Sequence, residues 1–234
     1  NKYEAKLDNA ISRQLCRQGA FANSQFESID LVLEGGSIES DGLGTLLTTS
    51  RCLLSPQRNP SLNQSQLETQ LSQLLGVDRF LWLQHGHLAG DDTDSHIDTL
   101  ARFCGPDTLC YVSCDDPADE HYQALQAMAA ELTAFRQTNG KPYTLVALPM
   151  THPIHNKDGV RLPATYANFL IINNAVLVPS YEDEHDELAQ QQLARCFPDR
   201  EIIAINCKPL IEQYGSLHCV TMQLAEGVLA DNEQ

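Results

Sequence analysis

The sequence predicts an α/β protein assembled from a repeated strand–strand–helix–strand unit. Three observations predict it. Short apolar stretches of strand length alternate with longer stretches of helical periodicity along the 234 residues. Helix starts recur near residues 63, 119 and 184, a period of about 60. Each of these helices is preceded by two strand patterns and followed by one. The period is longer than most solenoid repeats, and a helix in every unit argues against an ordinary propeller.

The elements follow in order. Tyr3, Leu7, Ala10, Ile11 and Leu15 recur at helical spacing, and Gly19 supplies a stop. Residues 29–33 (IDLVL) read as a strand. Asp41-Gly42 is a two-residue hairpin signal leading into TLLTT at 45–49. Leu67, Leu71, Leu74 and Leu75 mark a helix that Asn63 with Gln66, or Ser65 with Glu68, would cap and Gly76 would end. FLWL at 80–83 is the strand after it. Strands near 99–103 and at 109–113, a helix carrying Tyr122, Leu125, Met128, Leu132 and Phe135, and a strand at 143–148 repeat the order. NFLII, an Asn173-Asn174 turn, AVLV, a helix over about 184–196 and EIIAIN at 201–206 make a third round. A lone strand pattern, 217–224, closes the chain. The front has only a helix and a strand, half a unit, so the sequence reads as lacking its N-terminal portion. The complete units are expected at about 36–84, 96–148 and 166–206, all in one domain, 1–234.

Composition excludes several classes. Net charge is −16, with 31 acidic and 15 basic residues, which argues against nucleic acid or an anionic membrane as partner and favours a small cationic ligand. No apolar run approaches the ~18–20 residues of a spanning helix. The eight cysteines are dilute and form no CxxC pair, and the first residues hold no apolar signal segment, so a reducing cytoplasm is the expected compartment. A homo-oligomer stays open.

Reactive residues cluster at three predicted strand edges: Glu34-Gly35-Gly36, residues 85–98 (HGHLAGDDTDSHID), and Tyr214 to Cys219. Cys219 is a candidate nucleophile. His218 beside it is a poor base, since neighbours on a strand point to opposite faces, so it is expected to face away. His96 is the better base, because in an extended stretch it shares a face with Asp98. A hydrogen-bonded structural histidine is the alternative for His96, and spacing leaves both open. His85, His87 and His96 with the nearby aspartates offer a metal site, although HxH is followed by Leu88-Ala89-Gly90 rather than the x-Asp-His of a metallohydrolase signature. His152-Pro153-Ile154-His155 is a weak HxxH, because proline disfavours the helix that such ligation uses.

Four segments in the same order, EGGSIESDGLGTLLTT, GDDTDSHIDTLARF, RLPATYANFLIINNAVLVP and GSLHCVTMQ, resemble the agmatine deiminase / bacterial-type peptidyl-arginine deiminase family over residues 20–225. The resemblance implies a pentein-type propeller, a ring of ββαβ units around a pseudo-five-fold axis, here N-terminally incomplete. It implies Cys219 as nucleophile and His96 as general acid/base. It also makes Asp98 the carboxylate gripping a guanidinium and Glu34 a second acidic group beside it. Thr93 and Gly215 join Asp98 and Glu34 as substrate-binding residues. The family's aspartate in a W-x-R-D-type segment has no counterpart, since Trp82 is followed by Leu83, Gln84 and His85. Two departures stand beside the site. Tyr214 and Ser95 stand where the family usually has glycines, and the change to tyrosine removes freedom at a position that needs φ > 0 if the glycine used it.

The activity so implied is hydrolysis of a guanidino substrate, agmatine to N-carbamoylputrescine and ammonia, through a covalent cysteine intermediate. It calls for no metal or organic cofactor. Free or peptidyl arginine is the alternative substrate. A metal-dependent hydrolase at His85, His87 and His96, and a non-catalytic guanidine-binding fragment, are the alternative functions.

Overall fold

A computed structural model describes residues 4–21 and 24–230. Tyr3, expected on the first helix, lies outside them. Residues Asp8–Ala10 form a 3₁₀ turn that runs into α1 (Ile11–Arg17), and Gly19 turns the chain at φ 76°.

Three units follow, and each is a ββαβ sheet. The first holds β1 (Ile38–Ser40) and β2 (Thr45–Thr49), paired antiparallel across the Asp41-Gly42 turn. A single turn, α2 (Ser50–Leu53), then leads through a loop to α3 (Gln64–Leu75), and β3 (Arg79–Leu83) pairs parallel to β2. Asn63 and Gln66 form a reciprocal capping box and Gly76 ends α3 in the left-handed region, as the sequence predicts.

The second unit has β4 (Ala101–Gly105), β5 (Thr108–Val112), α4 (Tyr122–Ala134) and β6 (Thr144–Leu148). The third has β7 (Leu170–Ile171), β8 (Ala175–Ser180), α5 (Asp186–Cys196) and β9 (Glu201–Asn206), before a last turn, α6 (Lys208–Ile211). Every sheet has the order first–second–third strand, antiparallel and then parallel. The helix supplies the crossover that a parallel pair requires.

Each helix buries one stripe against the sheets: Leu67 and Leu71 on α3, Leu125, Met128 and Leu132 on α4, Ala189 and Leu193 on α5. Full burial of such a side chain contributes about 1.5–3 kcal/mol.

Two expected strands are absent. Residues 29–33 form no ladder, and the chain bends at Asp30. Leu31 and Leu33 pack against the α2–α3 core while Val32 is exposed. The Val32 backbone is satisfied instead by one side chain: Asn59 Oδ1 accepts its N–H at 3.0 Å, and Asn59 Nδ2 donates to its carbonyl at 2.8 Å. A carboxamide thus takes the place of a neighbouring strand. Residues 217–224 are not a strand either. A 3₁₀ turn, His218–Val220, occupies the segment because Asn168 Oδ1 draws in the His218 N–H at 2.9 Å.

The units are joined by polar groups on the first strands. Arg102 of β4 is buried, and its Nε donates to Glu39 of β1. Its Nη1 donates 2.7 Å to the Phe169 carbonyl just before β7, and the guanidinium lies 4.9 Å from the Phe169 ring centroid. Burial disfavours the Arg102 charge, but the Glu39 and Asp98 carboxylates outweigh that and hold its pKa above the ordinary arginine value. One cation therefore ties all three units. Removing one partner of such a pair leaves the other buried and unpaired. Arg102→Ala is expected to cost about 3–5 kcal/mol in urea denaturation. A loss under 1 kcal/mol would show that the units are held by their apolar faces alone.

Candidate functional site

Glu34, Thr93, His96, Asp98, Gly215 and Cys219 all line one open cleft of about 1150 Å³. The sequence-predicted set is brought together from segments up to the full length of the three units apart.

Glu34 precedes a 3₁₀ turn, Gly35–Ser37, which the Ser37 N–H closes onto the Glu34 carbonyl at 3.0 Å. His96 and Asp98 come from the turn before β4. They do not converge by strand alternation. His96 is the cap of a 3₁₀ turn, Ile97–Thr99, and both side chains close over Gly36. A Cβ on Gly36 would sit 2.7 Å from Asp98 Oδ2 and 2.7 Å from His96 Nδ1, so only glycine lets the two approach.

Asp98 is buried and its oxygens are treated differently. Oδ2 accepts from His218 Nδ1 at 2.8 Å. Oδ1, equally inaccessible, has no partner in the protein. His218 therefore does not face away, contrary to the expectation. Strand alternation does not apply in a 3₁₀ turn, where successive side chains step around the axis by about 120°, and His218 turns onto Asp98. As the partner is a carboxylate, which only accepts, Nδ1 carries the proton.

Glu34 is held by Arg58, whose Nε lies 2.9 Å from both carboxylate oxygens and whose Nη1 lies 2.9 Å from Asp94. Arg58 Nη2 also donates to the Thr93 carbonyl at 2.8 Å. Burial opposes ionisation of Glu34, but His96 and Arg58 outweigh it and bring its pKa from 4.5 down to about 2. The His96 Nε2–Glu34 Oε1 separation is 3.7 Å, an electrostatic contact rather than a hydrogen bond, and Nε2 is otherwise unpartnered.

Thr93 lines the cleft, but its hydroxyl is spent on the loop, bonded to Asp91 Oδ1 and accepting the His96 N–H at 3.1 Å. Gly215 flanks the nucleophile. A Cβ there would lie 3.1 Å from Cys219 Cβ.

Cys219 is exposed by surface area, yet the space around its thiol is mostly protein. This desolvation, with the Asp98 and Asp91 charges, pushes its pKa from 9.0 up to about 11. The empty site therefore holds a neutral thiol at pH 7.

Asn168 and Arg58 escaped the sequence reading. Buried Asn168 accepts from the His218 N–H at 2.9 Å and from Cys219 Sγ at 3.4 Å through Oδ1, and its Nδ2 donates 3.2 Å to the Asp98 carbonyl. A polar residue between Ala167 and Phe169 was the one available signal. Arg58, in a turn-rich SPQRNP stretch, gave none.

The two glycine departures are strained. Ser95 has φ 68° and Tyr214 φ 62°, in the region that favours glycine, and the buried Ser95 hydroxyl has no partner.

The metal alternative finds no support in the geometry. His85 pairs with Glu131 at 2.8 Å and the His87 ring stacks near His121 at 6.2 Å, while His96 faces Glu34. Among the described residues, these three histidines form no ligand cluster.

Comparison with known proteins places these observations. Residues 1–225 match the Porphyromonas-type peptidyl-arginine deiminase family. An agmatine deiminase of Pseudomonas syringae pv. tomato is 35% identical over 209 residues, covering 82% of this chain and 56% of that protein. A Porphyromonas gingivalis structure provisionally designated an arginine deiminase is 52% identical with a TM-score of 0.92, covering 95% of this chain and 66% of the other. A C. jejuni agmatine deiminase with a cysteine-to-serine substitution and bound substrate is 41% identical, TM-score 0.87, covering 94% and 63%. An amidinotransferase from Microseira wollei, 13% identical at a TM-score of 0.51, shares the α/β fold alone. The chain spans about three fifths of the length of the curated relatives it matches.

Ser95→Gly removes the left-handed strain and an unsatisfied hydroxyl together. A gain of about 1 kcal/mol is expected in thermal denaturation, and a loss would mean that the hydroxyl is engaged. Cys219 alkylation by iodoacetamide, followed by peptide mass spectrometry, is expected to accelerate with pH past 9 toward a midpoint near 11. Asp98→Asn removes a repelling anion, so the midpoint falls and alkylation at pH 8 quickens. An unchanged midpoint would show that Asp98 does not act on the thiol.

Proposed function

Because this chain belongs to the Porphyromonas-type peptidyl-arginine deiminase family, we propose that it carries the guanidine-hydrolysing site of an agmatine deiminase. The single observation that carries the proposal is the buried, unpartnered Asp98 Oδ1 in the cleft that also holds Cys219 and His96. Such an oxygen is costly unless a ligand donor reaches it, and a guanidinium N–H is the donor that family membership supplies.

The Cys219 thiol passes its proton to His96 as its sulfur attacks the central guanidinium carbon to give a tetrahedral adduct. His96 donates a proton to the departing nitrogen, and ammonia leaves behind an S-linked thiouronium. Water then adds to that carbon, giving its proton to His96, and the C–S bond breaks to free a ureido product and restore the thiol. The attacked group is a cation, so the site has carboxylates where an acyl-transfer site has an oxyanion hole. Those carboxylates raise the thiol pKa in the empty cleft, and the bound cation lowers it again. Asp98, fixed by His218 and Asn168, grips the guanidinium. Arg58 keeps Glu34 ionised beside His96.

The cleft composition favours agmatine over arginine. Glu34, Asp41, Asp92, Asp98 and Asp199 line it and outnumber its two arginines, of which Arg102 is ion-paired with Glu39 and Arg200 donates to the Ile172 carbonyl. A dication suits this surface, and an α-carboxylate would meet like charge. The family description and the P. gingivalis neighbour keep arginine as the second reading.

We further read residues 1–234 as one guanidine-modifying domain whose ββαβ units stand on a five-fold pentein ring. The common strand order of the three sheets and their shared Arg102 junction support this. Among the described residues, no helix is long and apolar enough to cross a membrane. Eight unpaired cysteines accord with the reducing cytoplasm where we place the reaction.

Ammonia release from agmatine, arginine and a peptidyl-arginine substrate tests the reading. Agmatine is expected to give the highest kcat/KM. Cys219→Ser is expected to abolish turnover, and His96→Ala to lower it by about 10²–10⁴. Ammonia release from Cys219→Ser at the parent rate would refute the covalent route.

A further inference from the structure

His152, Asp183, Glu184 and His185 meet outside the catalytic cleft, none of them among its lining residues. His152 follows β6 of the second unit, and the other three lie between β8 and α5 of the third. A single carboxylate organises both rings. Asp183 Oδ1 lies 2.8 Å from His185 Nδ1, and Oδ2 lies 3.1 Å from His152 Nδ1. The same oxygens accept the backbone N–H of His185 at 3.0 Å and of His152 at 2.8 Å. The Asp183 side chain is only 6% exposed and takes all four of these N–H donors.

An ionised carboxylate can only accept, so each Nδ1 must carry its hydrogen. Both neutral imidazoles are thereby fixed in the tautomer that leaves Nε2 as a lone-pair donor. This is the carboxylate–histidine arrangement that orients metal-ligating histidines. The rings lie 5.3 Å apart between centroids at 34°, and the Glu184 carboxylate reaches to 3.5 Å from His152 Nε2. One donor atom from each of His152, Glu184 and His185 lies within 4.8 Å of the others. Tetrahedral zinc needs nitrogen donors about 3.3 Å apart, and the exposed His152 and Glu184 side chains can rotate to that spacing. The base is rigid by contrast. Asp186, in the first turn of α5, accepts from the Tyr181 N–H at 3.0 Å and from Tyr166 Oη at 2.7 Å, which pins the β8–α5 loop.

We propose that His152, His185 and Glu184 form a divalent transition-metal site, positioned by Asp183, that clamps the segment after β6 to the start of α5. Two imidazoles and one carboxylate select borderline ions such as Zn²⁺, Co²⁺ and Ni²⁺ over Mg²⁺ and Ca²⁺. The ion bridges the second and third units and plays no part in the cleft chemistry.

The test is a calorimetric Zn²⁺ titration of the protein in a Cys219→Ser background, which removes the cleft thiol as a competing ligand. One ion is expected to bind with a Kd well below about 1 mM. His152→Ala and His185→Ala, both at surface positions, are each expected to weaken binding at least about tenfold. Asp183→Asn, which removes no ligand, is expected to weaken it about 10–100-fold. Zinc at a hundredfold excess over Kd is expected to raise Tm by about 5–10 °C. The visible spectrum of the Co²⁺ form is expected to lack thiolate charge-transfer absorption. Absence of binding below about 1 mM would overturn the proposal. So would binding that survives the double His152→Ala, His185→Ala change, since the ion would then sit on the remaining thiols.

Discussion

The buried Arg102 cation is the constraint on which the rest of the architecture depends. It donates to Glu39 on the first unit and to the Phe169 carbonyl at the threshold of the third, while stacking on the Phe169 ring. A desolvated guanidinium needs fixed acceptors around it, so it cannot tolerate units that slide past one another. The catalytic segments hang from this junction. Gly35–Ser37 leads directly into β1, Ile97–Thr99 directly into β4, and Asn168 stands beside Phe169. Fixing the three first strands therefore fixes the cleft.

The cleft itself is a problem of confined negative charge. Several anions in and beside it are held by dedicated partners: Arg58 on Glu34, His218 on one oxygen of Asp98, loop N–H groups on Asp91. Asn168 links this set to the nucleophile by accepting from Cys219 while donating to the Asp98 backbone. The arrangement leaves one buried carboxylate oxygen, Asp98 Oδ1, without a protein partner and keeps the thiol protonated.

Two levels of order coexist. The polar centre is specified by directional bonds that permit little substitution, and Gly36 is required there by space. Ser95 and Tyr214 accept backbone strain at its margin, and the surrounding network holds them in place. The outer helices rest on leucine stripes that any apolar residue of similar volume would serve.

The sequence by itself determined the three ββαβ units, the capped α3 helix, the Asp41-Gly42 hairpin and the identity of the cleft residues. Local periodicity and turn chemistry act over a few residues and leave a direct record in the order of amino acids. The φ > 0 requirement at Tyr214 was legible too, through a glycine usual in the family. Tertiary structure decided the rest. Residues 29–33 have a strand's alternation but no neighbouring strand, and only the position of Asn59 settles where their hydrogen bonds go. His218 faces Asp98 because Asn168, fifty positions away, winds its segment into a 3₁₀ turn. Arg58 gave no local signal, and His152 showed only the weak HxxH spacing with His155, because the partners of both are distant in sequence. Periodicity reports which face of an element is buried. It does not report which charge lies across the space that burial creates.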